Sequence, residues 1–311
     1  SVARIDLFSL SKNKVIKTGL TEEGQKLIDR EIVWYKKMTD YGFNSIPKIH
    51  SLNPLTMEKI EGTNIFNANL SIEDKKKVID NLIDSVNKMH SFETKNSNRL
   101  DIEQEYYTKT IKRIRSIAPS IPFANNEYIT INGKKCRNIL TDTYALKKIV
   151  EENLMDTIYC PIHGDCTLTN TMLDKENNIY FIDARGYFGS EKVLGDIRYD
   201  WAKLYYSIAG NFDQFNIKNF KLKISEYDVK YEINSGGWDE LTDYFLAKIP
   251  EVKLDQLKLI HAIIWISLAS HCWEDYDSMC LAFYNGIYLL YECIEGEKNA
   301  FKREYFETIN A

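Results

Sequence analysis

Hydrophobic and polar positions alternate differently in the first sixty residues and in the rest of the chain. Residues 3–8 and 14–18 are extended runs separated by the polar stretch 9–13, a pattern that predicts a hairpin. From Thr21 the period becomes helical: Leu27, Glu31, Trp34, Tyr35 and Met38 fall near one face at three- and four-residue spacing, up to Tyr41 and Gly42. Two short apolar runs follow, residues 46–52 and 55–60, split by the turn pair Asn53 and Pro54. These elements predict a small sheet carrying one helix.

Beyond Glu61 long helices dominate, and Gly62 reads as a hinge between two lobes. Ser71 and Asp74 form a capping pair ahead of Val78, Leu82, Val86 and Met89. Further helices are expected over residues 102–117 and 143–154. Between them, Asn132 and Gly133 separate two alternating runs, a strong hairpin signal. Residues 179–182 read as a short buried strand. Phe220, Leu222 and Ile224, then Tyr227, Val229, Tyr231 and Ile233, alternate at period two and predict a second hairpin. From Trp238 onward the pattern is helical. The expected architecture is α+β and two-lobed, with a small N-terminal sheet lobe over residues 1–61 and a large, mostly helical lobe over residues 62–311.

At 311 residues and 44% hydrophobic, the chain has enough apolar surface for such a core. Its net charge of −5 gives no global basic field for nucleic acid or an anionic membrane, so an anionic ligand would have to be met by local charges. The six cysteines show no CxxC pair and no metal-type spacing, which predicts reduced thiols and a cytoplasmic location. No apolar run approaches the length of a membrane span.

The chemistry concentrates in Ile162-His163-Gly164-Asp165-Cys166-Thr167-Leu168-Thr169-Asn170 and in the run Ile179-Tyr180-Phe181-Ile182-Asp183. Phosphoryl transfer needs an in-line hydroxyl, a carboxylate to take its proton, and metal ions that neutralise phosphate oxygens. Asp165 can supply the carboxylate. Asn170 and Asp183 offer oxygen ligands suited to a hard ion such as magnesium.

In this stretch the sequence resembles the aminoglycoside phosphotransferase and choline kinase group, small-molecule kinases distantly related to protein kinases. That group's catalytic loop reads His-Gly-Asp with an Asn five residues after the Asp, and its metal Asp follows a short hairpin. The segment Gly195-Asp196-Ile197-Arg198-Tyr199-Asp200-Trp201-Ala202 is similar to the group's Gly-Asp-x-x-x-Asp-x-Ala. The resemblance implies a protein-kinase-like fold, ATP and Mg2+ as cofactors, and a hydroxylated small-molecule acceptor. It makes Asp165 the catalytic carboxylate, Asn170 and Asp183 the metal ligands, and Asp200 a structural brace. His163, also in the catalytic loop, is implied to hold backbone rather than to act as a base. Less specifically, Val15-Ile16-Lys17 resembles the strand whose lysine meets nucleotide phosphates. Glu31 is then its ion-pair partner, and the backbone of Glu58, Lys59 and Ile60 receives adenine. The late helices also resemble those of bacterial choline, ethanolamine and sugar kinases of surface-polysaccharide pathways. That implies an amino alcohol or a sugar as acceptor.

Several readings stay open. Ala184 and Arg185 follow the metal Asp where protein kinases have Phe-Gly, and Arg185 serves either the acceptor or phosphate, or only a loop. Trp265 and Trp273 are acceptor-pocket candidates or ordinary core aromatics. No glycine occurs in the sixteen residues before Lys17, so the phosphate-covering loop of this kinase type is missing. Because the chain begins with Ser, an absent upstream segment or fused domain is expected; a naturally abbreviated lobe is the other explanation. A catalytically impaired kinase-fold binding or regulatory module is the alternative function.

Overall fold

The computed structural model describes residues 13–250 and 252–309, with side chains described to residue 294. The expected strand over residues 3–8 lies outside them. The chain forms two compact units. One comprises the chain up to Asp101 with Asp156–Asp213 and Ser235–Glu251; the other comprises Ile102–Met155, Gln214–Asn234 and the chain from Val252. Glu61 and Gly62, where the sequence suggests a lobe boundary, lie inside the first unit.

The first unit contains three small antiparallel sheets. In one, Leu55–Glu58 is the central strand between Lys14–Lys17 and Ile49–Leu52. The helix Glu22–Asp40 connects the outer two strands in sequence; the Thr21 hydroxyl caps it by accepting from the Gly24 N–H at 3.0 Å. Its buried face carries Ile28, Glu31, Trp34, Tyr35 and Met38. Leu27 is 46% exposed, contrary to the sequence reading, because Ile28 takes the inward position one residue on. A second sheet sets Thr171–Asp174 between Ile179–Phe181 and Gly62–Asn64. The third pairs Ile158–Pro161 with Leu194–Asp196 and Lys95–Asn96. The helix Ile72–His90 begins at Ser71, whose hydroxyl accepts from the Asp74 N–H and donates to the Asp74 carboxylate, as the capping pair predicts.

These pieces converge on the segment between Pro161 and Asp183. The Trp34 indole, fully buried, donates to the Ile162 carbonyl at 2.8 Å, and the Phe181 N–H donates to the Ser45 carbonyl at 2.9 Å. The helix Glu22–Asp40 and the loop after it are thereby tied to both ends of the chemically interesting stretch.

In the second unit the Asn132 and Gly133 signal holds. Both residues have positive φ, 48° and 80°, and join Tyr128–Ile131 to Lys134–Arg137 in the expected hairpin. Phe220–Ile224 and Val229–Ile233 form the second hairpin, and the two merge into one four-stranded sheet through the parallel pairing of Val229 with Ile131. Helices Lys109–Ile117, Thr143–Asn153, Leu254–Leu268 and Tyr276–Ile309 also belong to this unit. Trp265, Phe283 and Tyr284 are among its fully buried side chains. No helix among the described residues is long and apolar enough to cross a membrane.

Gly62 forms a paired strand end opposite Asp174, and a Cβ there would sit 2.0 Å from the Leu173 carbonyl oxygen. The close backbone approach explains why glycine occupies this position. Gly62→Ala is expected to destabilise the protein by about 1–3 kcal/mol through forced separation of the two strands, read as a lowered midpoint in urea unfolding.

Candidate active site

The chain from Ile162 to Asn170 turns sharply after a buried strand, and the turn is built around one carboxylate. Asp200, fully buried on the helix Ile197–Ile208, accepts the His163 N–H at 2.9 Å, the Gly164 N–H at 2.8 Å and a contact from His90 Nε2 at 3.1 Å. Burial alone would push its pKa up. The His90 contact and the Gly164 N–H more than offset that and hold Asp200 below the usual carboxylate range. Gly164 sits at φ +77°, where a side chain is strained, and an added Cβ would also meet that of Arg185 at 2.9 Å.

His163 is fixed at both nitrogens. Nδ1 accepts the Asp165 N–H at 3.1 Å, so Nε2 carries the proton donated to the Ile182 carbonyl at 2.9 Å. Burial lowers its pKa, and the ring is neutral. A ring so engaged braces the backbone of the loop.

The two oxygens of Asp165 have separate partners. Oδ1 meets Lys203 Nζ at 2.9 Å, and Oδ2 accepts from the Asn170 side-chain amide at 2.9 Å. Burial opposes the charge of Asp165, yet Lys203, with smaller help from Arg185, holds its pKa below the ordinary value. Its side chain is still 40% exposed, against 13% for Lys203. The Asp165 carboxylate is therefore open on one side and held on the other.

The Asn170 amide nitrogen also donates to the Asp165 carbonyl at 3.0 Å. The Ile182 N–H donates to the Asn170 backbone carbonyl at 3.0 Å, bringing Asn170 alongside the residue that precedes Asp183. Asp183 has φ +60°, a left-handed conformation that Asp tolerates better than most residues at about 1 kcal/mol. Among the described residues, no group of three or more His, Cys, Asp or Glu side chains is placed to hold a metal. One carboxylate and one amide oxygen suit a magnesium ion that keeps waters and takes phosphate oxygens, so the donor set fits that ion.

Lys17 contacts both Asp183 and Glu31, the latter at 2.5 Å. Burial disfavours its charge, but the two carboxylates outweigh this and hold the lysine above its usual pKa. Tyr35, buried beside them, stays protonated, its phenol pushed well up by burial and by the charges of Glu31 and Asp183. The Glu58 N–H donates to the Lys48 carbonyl at 2.8 Å, and the Lys59 N–H to the Asn13 carbonyl at 3.0 Å. Two of the backbone donors expected to face adenine are therefore engaged, and Ile60 accepts from the Gly62 N–H at 3.1 Å.

Arg185 donates its N–H to the His163 carbonyl at 2.9 Å, and its guanidinium lies over the rings of Tyr187 at 4.3 Å and Tyr199 at 5.2 Å. Trp265 belongs to the interior of the second unit, with its indole N–H on His261 Nε2 at 2.8 Å and its ring edge-to-face with Phe215. Trp273 is 68% exposed. Lys203 and His90 were not singled out in the sequence. Their only signals are spacing, Lys203 one helical turn beyond Asp200 and His90 the last residue of its helix.

Removing the Asp200 carboxylate leaves two buried N–H groups without an acceptor. Asp200→Ala is expected to cost about 3–5 kcal/mol, seen as a large drop in thermal midpoint; a loss under 1 kcal/mol would show that the loop holds itself. Because the folded-state pKa of Asp200 is depressed, this contribution is full above the ordinary aspartate pKa and fades as pH falls through the folded value.

No protein-family model and no curated protein matches the sequence. Solved structures do. Choline kinase LicA from Streptococcus pneumoniae aligns over 91% of this chain and 91% of its own at 13% identity, with a TM-score of 0.51. A mutant aminoglycoside 2′-phosphotransferase-IIIa solved with GDP aligns over 93% of this chain and 87% of its own at 12% identity, also at 0.51. A glucosamine kinase aligns over 91% and 73% at 11% identity, with a TM-score of 0.50. The mixed helices and small antiparallel sheets of this chain form the protein-kinase-like fold of the small-molecule phosphotransferases.

Proposed function

We propose that this protein is an ATP-dependent phosphotransferase acting on a hydroxyl of a small molecule, with residues 1–61 as the nucleotide-side lobe and the remainder as catalytic lobe. The reading is carried by the arrangement of Asp165, an ionised and accessible carboxylate held by Lys203 and Asn170, in one loop network with Asp183. The acceptor hydroxyl oxygen would bond to the γ-phosphorus as the bond from that phosphorus to the β–γ bridging oxygen breaks. ADP leaves with the electron pair, and the hydroxyl proton passes to Asp165. Lys17, steadied by Glu31, would meet phosphate oxygens, and Glu58 to Ile60 would lie along the adenine. Asn170 and Asp183 would hold magnesium, which supplies charge neutralisation at the phosphates. His163 and Asp200 keep Asp165 in position. The acceptors to try first are amino alcohols such as choline and ethanolamine, and sugars, including those of surface polysaccharides.

A second reading, a kinase-fold binding module without turnover, draws on the lack of any glycine in the sixteen residues before Lys17. The two separate in one experiment. Incubated with ATP, Mg2+ and an acceptor panel, the wild-type protein should release ADP and yield a product heavier by one phosphoryl group. Asp165→Asn should lower kcat by about 10²–10⁴-fold while nucleotide affinity changes little. Nucleotide binding with no ADP release by the wild type would favour the module.

The pH profile gives an independent check on the base. Lys203 holds the Asp165 carboxyl below its usual pKa, so the base form persists as pH falls through the ordinary aspartate range. Lys203→Met removes the cation next to Oδ1, and the acid limb of the kcat/KM profile should move to higher pH. An unmoved acid limb would assign that limb to another group.

A further inference from the structure

The peptide groups that lead into Asn170 are held by side chains from outside the loop. The turn Leu168–Asn170 starts at Thr167, whose side chain makes no cap bond, so the leading N–H groups need other acceptors. The Leu168 N–H donates to Ser207 Oγ at 3.2 Å, and the Thr169 N–H donates to Asp213 Oδ1 at 3.1 Å. On the other side of the same residue, the Thr169 carbonyl accepts from the Asn64 side-chain amide at 2.6 Å. Each peptide group is planar, so Asp213 orients the group ahead of Thr169, and Asn64 orients the group that carries the Asn170 N–H. That N–H donates in turn to the Thr167 carbonyl at 3.0 Å. Asp213 is 2% exposed, and its Oδ2 is buried without a donor among the described residues. A carboxyl so placed costs stability, so packing does not account for it, and its hold on Thr169 is what it contributes. All of these residues lie in the first unit.

Resting on the kinase reading, we infer that Asn64 and Asp213 are positioning residues for the metal: by clamping Thr169 from both sides they fix Asn170 where its amide oxygen can meet magnesium. Neither side chain has to touch the ion. Magnesium demands near-octahedral geometry, so a small rotation of Asn170 is felt as lost metal affinity. The Asp165 end of the loop is held separately, through the His163 and Gly164 N–H groups on Asp200. Loosening the clamp therefore acts on metal binding first.

The test measures binding of the non-hydrolysable ATP analogue AMPPNP by calorimetry over a range of Mg2+ concentrations, together with the thermal midpoint of each protein without ligand. Asn64→Leu and Asp213→Leu should raise the Mg2+ concentration at half-effect by about fivefold or more, while AMPPNP affinity without Mg2+ stays within about twofold. Asp213→Asn removes the charge but keeps an oxygen for the Thr169 N–H, and its Mg2+ dependence should stay within about twofold of wild type. If Asp213→Leu does not fold, Asn64→Leu decides. A lowered thermal midpoint with unchanged Mg2+ dependence in the Leu variants makes the clamp merely structural and overturns the inference, leaving the kinase reading standing. A shift in Asp213→Asn as large as in Asp213→Leu assigns the effect to charge and overturns it too. Wild-type AMPPNP binding that ignores Mg2+, or an Asn170→Ala protein with wild-type Mg2+ dependence, overturns the metal assignment of the kinase reading, and this inference with it.

Discussion

A carboxylate taken fully out of water must be compensated by donors, and Asp200 is that constraint here. Its partners are two consecutive backbone N–H groups of the loop and the imidazole of His90. Because the helix Ile197–Ile208 supplies the acceptor and the loop supplies the donors, neither can shift without stranding buried polar groups. The same helix then sends Ser207 to the Leu168 N–H at 3.2 Å and Lys203 to Asp165. One helix therefore fixes the loop's backbone at two points and its one accessible acid at a third. Its own start is secured by Asp196, which caps it and pairs with the buried Arg198 at 2.7 Å.

A second cluster follows the same physics with the signs reversed. Lys17 is buried and meets two carboxylates, Glu31 and Asp183, so its charge is stabilised against desolvation. Asp183 reaches this position from a left-handed backbone, two residues past the end of the strand Ile179–Phe181. His163 connects the two clusters, receiving the Asp165 N–H on one nitrogen and holding the Ile182 carbonyl with the other. The positions of Asp165 and Asp183 are thus linked through a single neutral ring.

What the sequence disclosed and what it hid divide along physical lines. The segments holding Asp165, Asn170 and Asp183 stood out by residue type and spacing, and the one holding Asp200 by its resemblance to a known motif; the structure joins all four in one hydrogen-bonded network. The hairpin at Asn132 and Gly133 was legible for a related reason: positive φ is a local demand that few residues meet. Lys203 was not, since a lysine on an amphipathic helix reads as a solvated one, and only the burial of its neighbours turns it inward. The pairing of Ile158–Pro161 with Leu194–Asp196 joins segments more than thirty residues apart, which periodicity cannot reveal. Leu27 and Ile28 differ by one position on a helix whose apolar face is wide enough to admit either, and packing made the choice.

The same Lys203 limits what Asp165 can contribute in the proposed reaction. A carboxylate whose pKa is depressed by a cation stays ionised and aligned, but it is a weaker base for that reason. Strong proton abstraction from an alcohol is therefore not its main contribution. Phosphoryl transfer through a loose transition state asks little of the nucleophile until bond formation is well advanced, when the hydroxyl proton becomes acidic enough for a weak base to take. Until then the carboxylate's contribution is orientation, a hydrogen bond that points the hydroxyl oxygen at phosphorus. A base tuned down and held at both oxygens fits that order of events better than a strong and mobile one would.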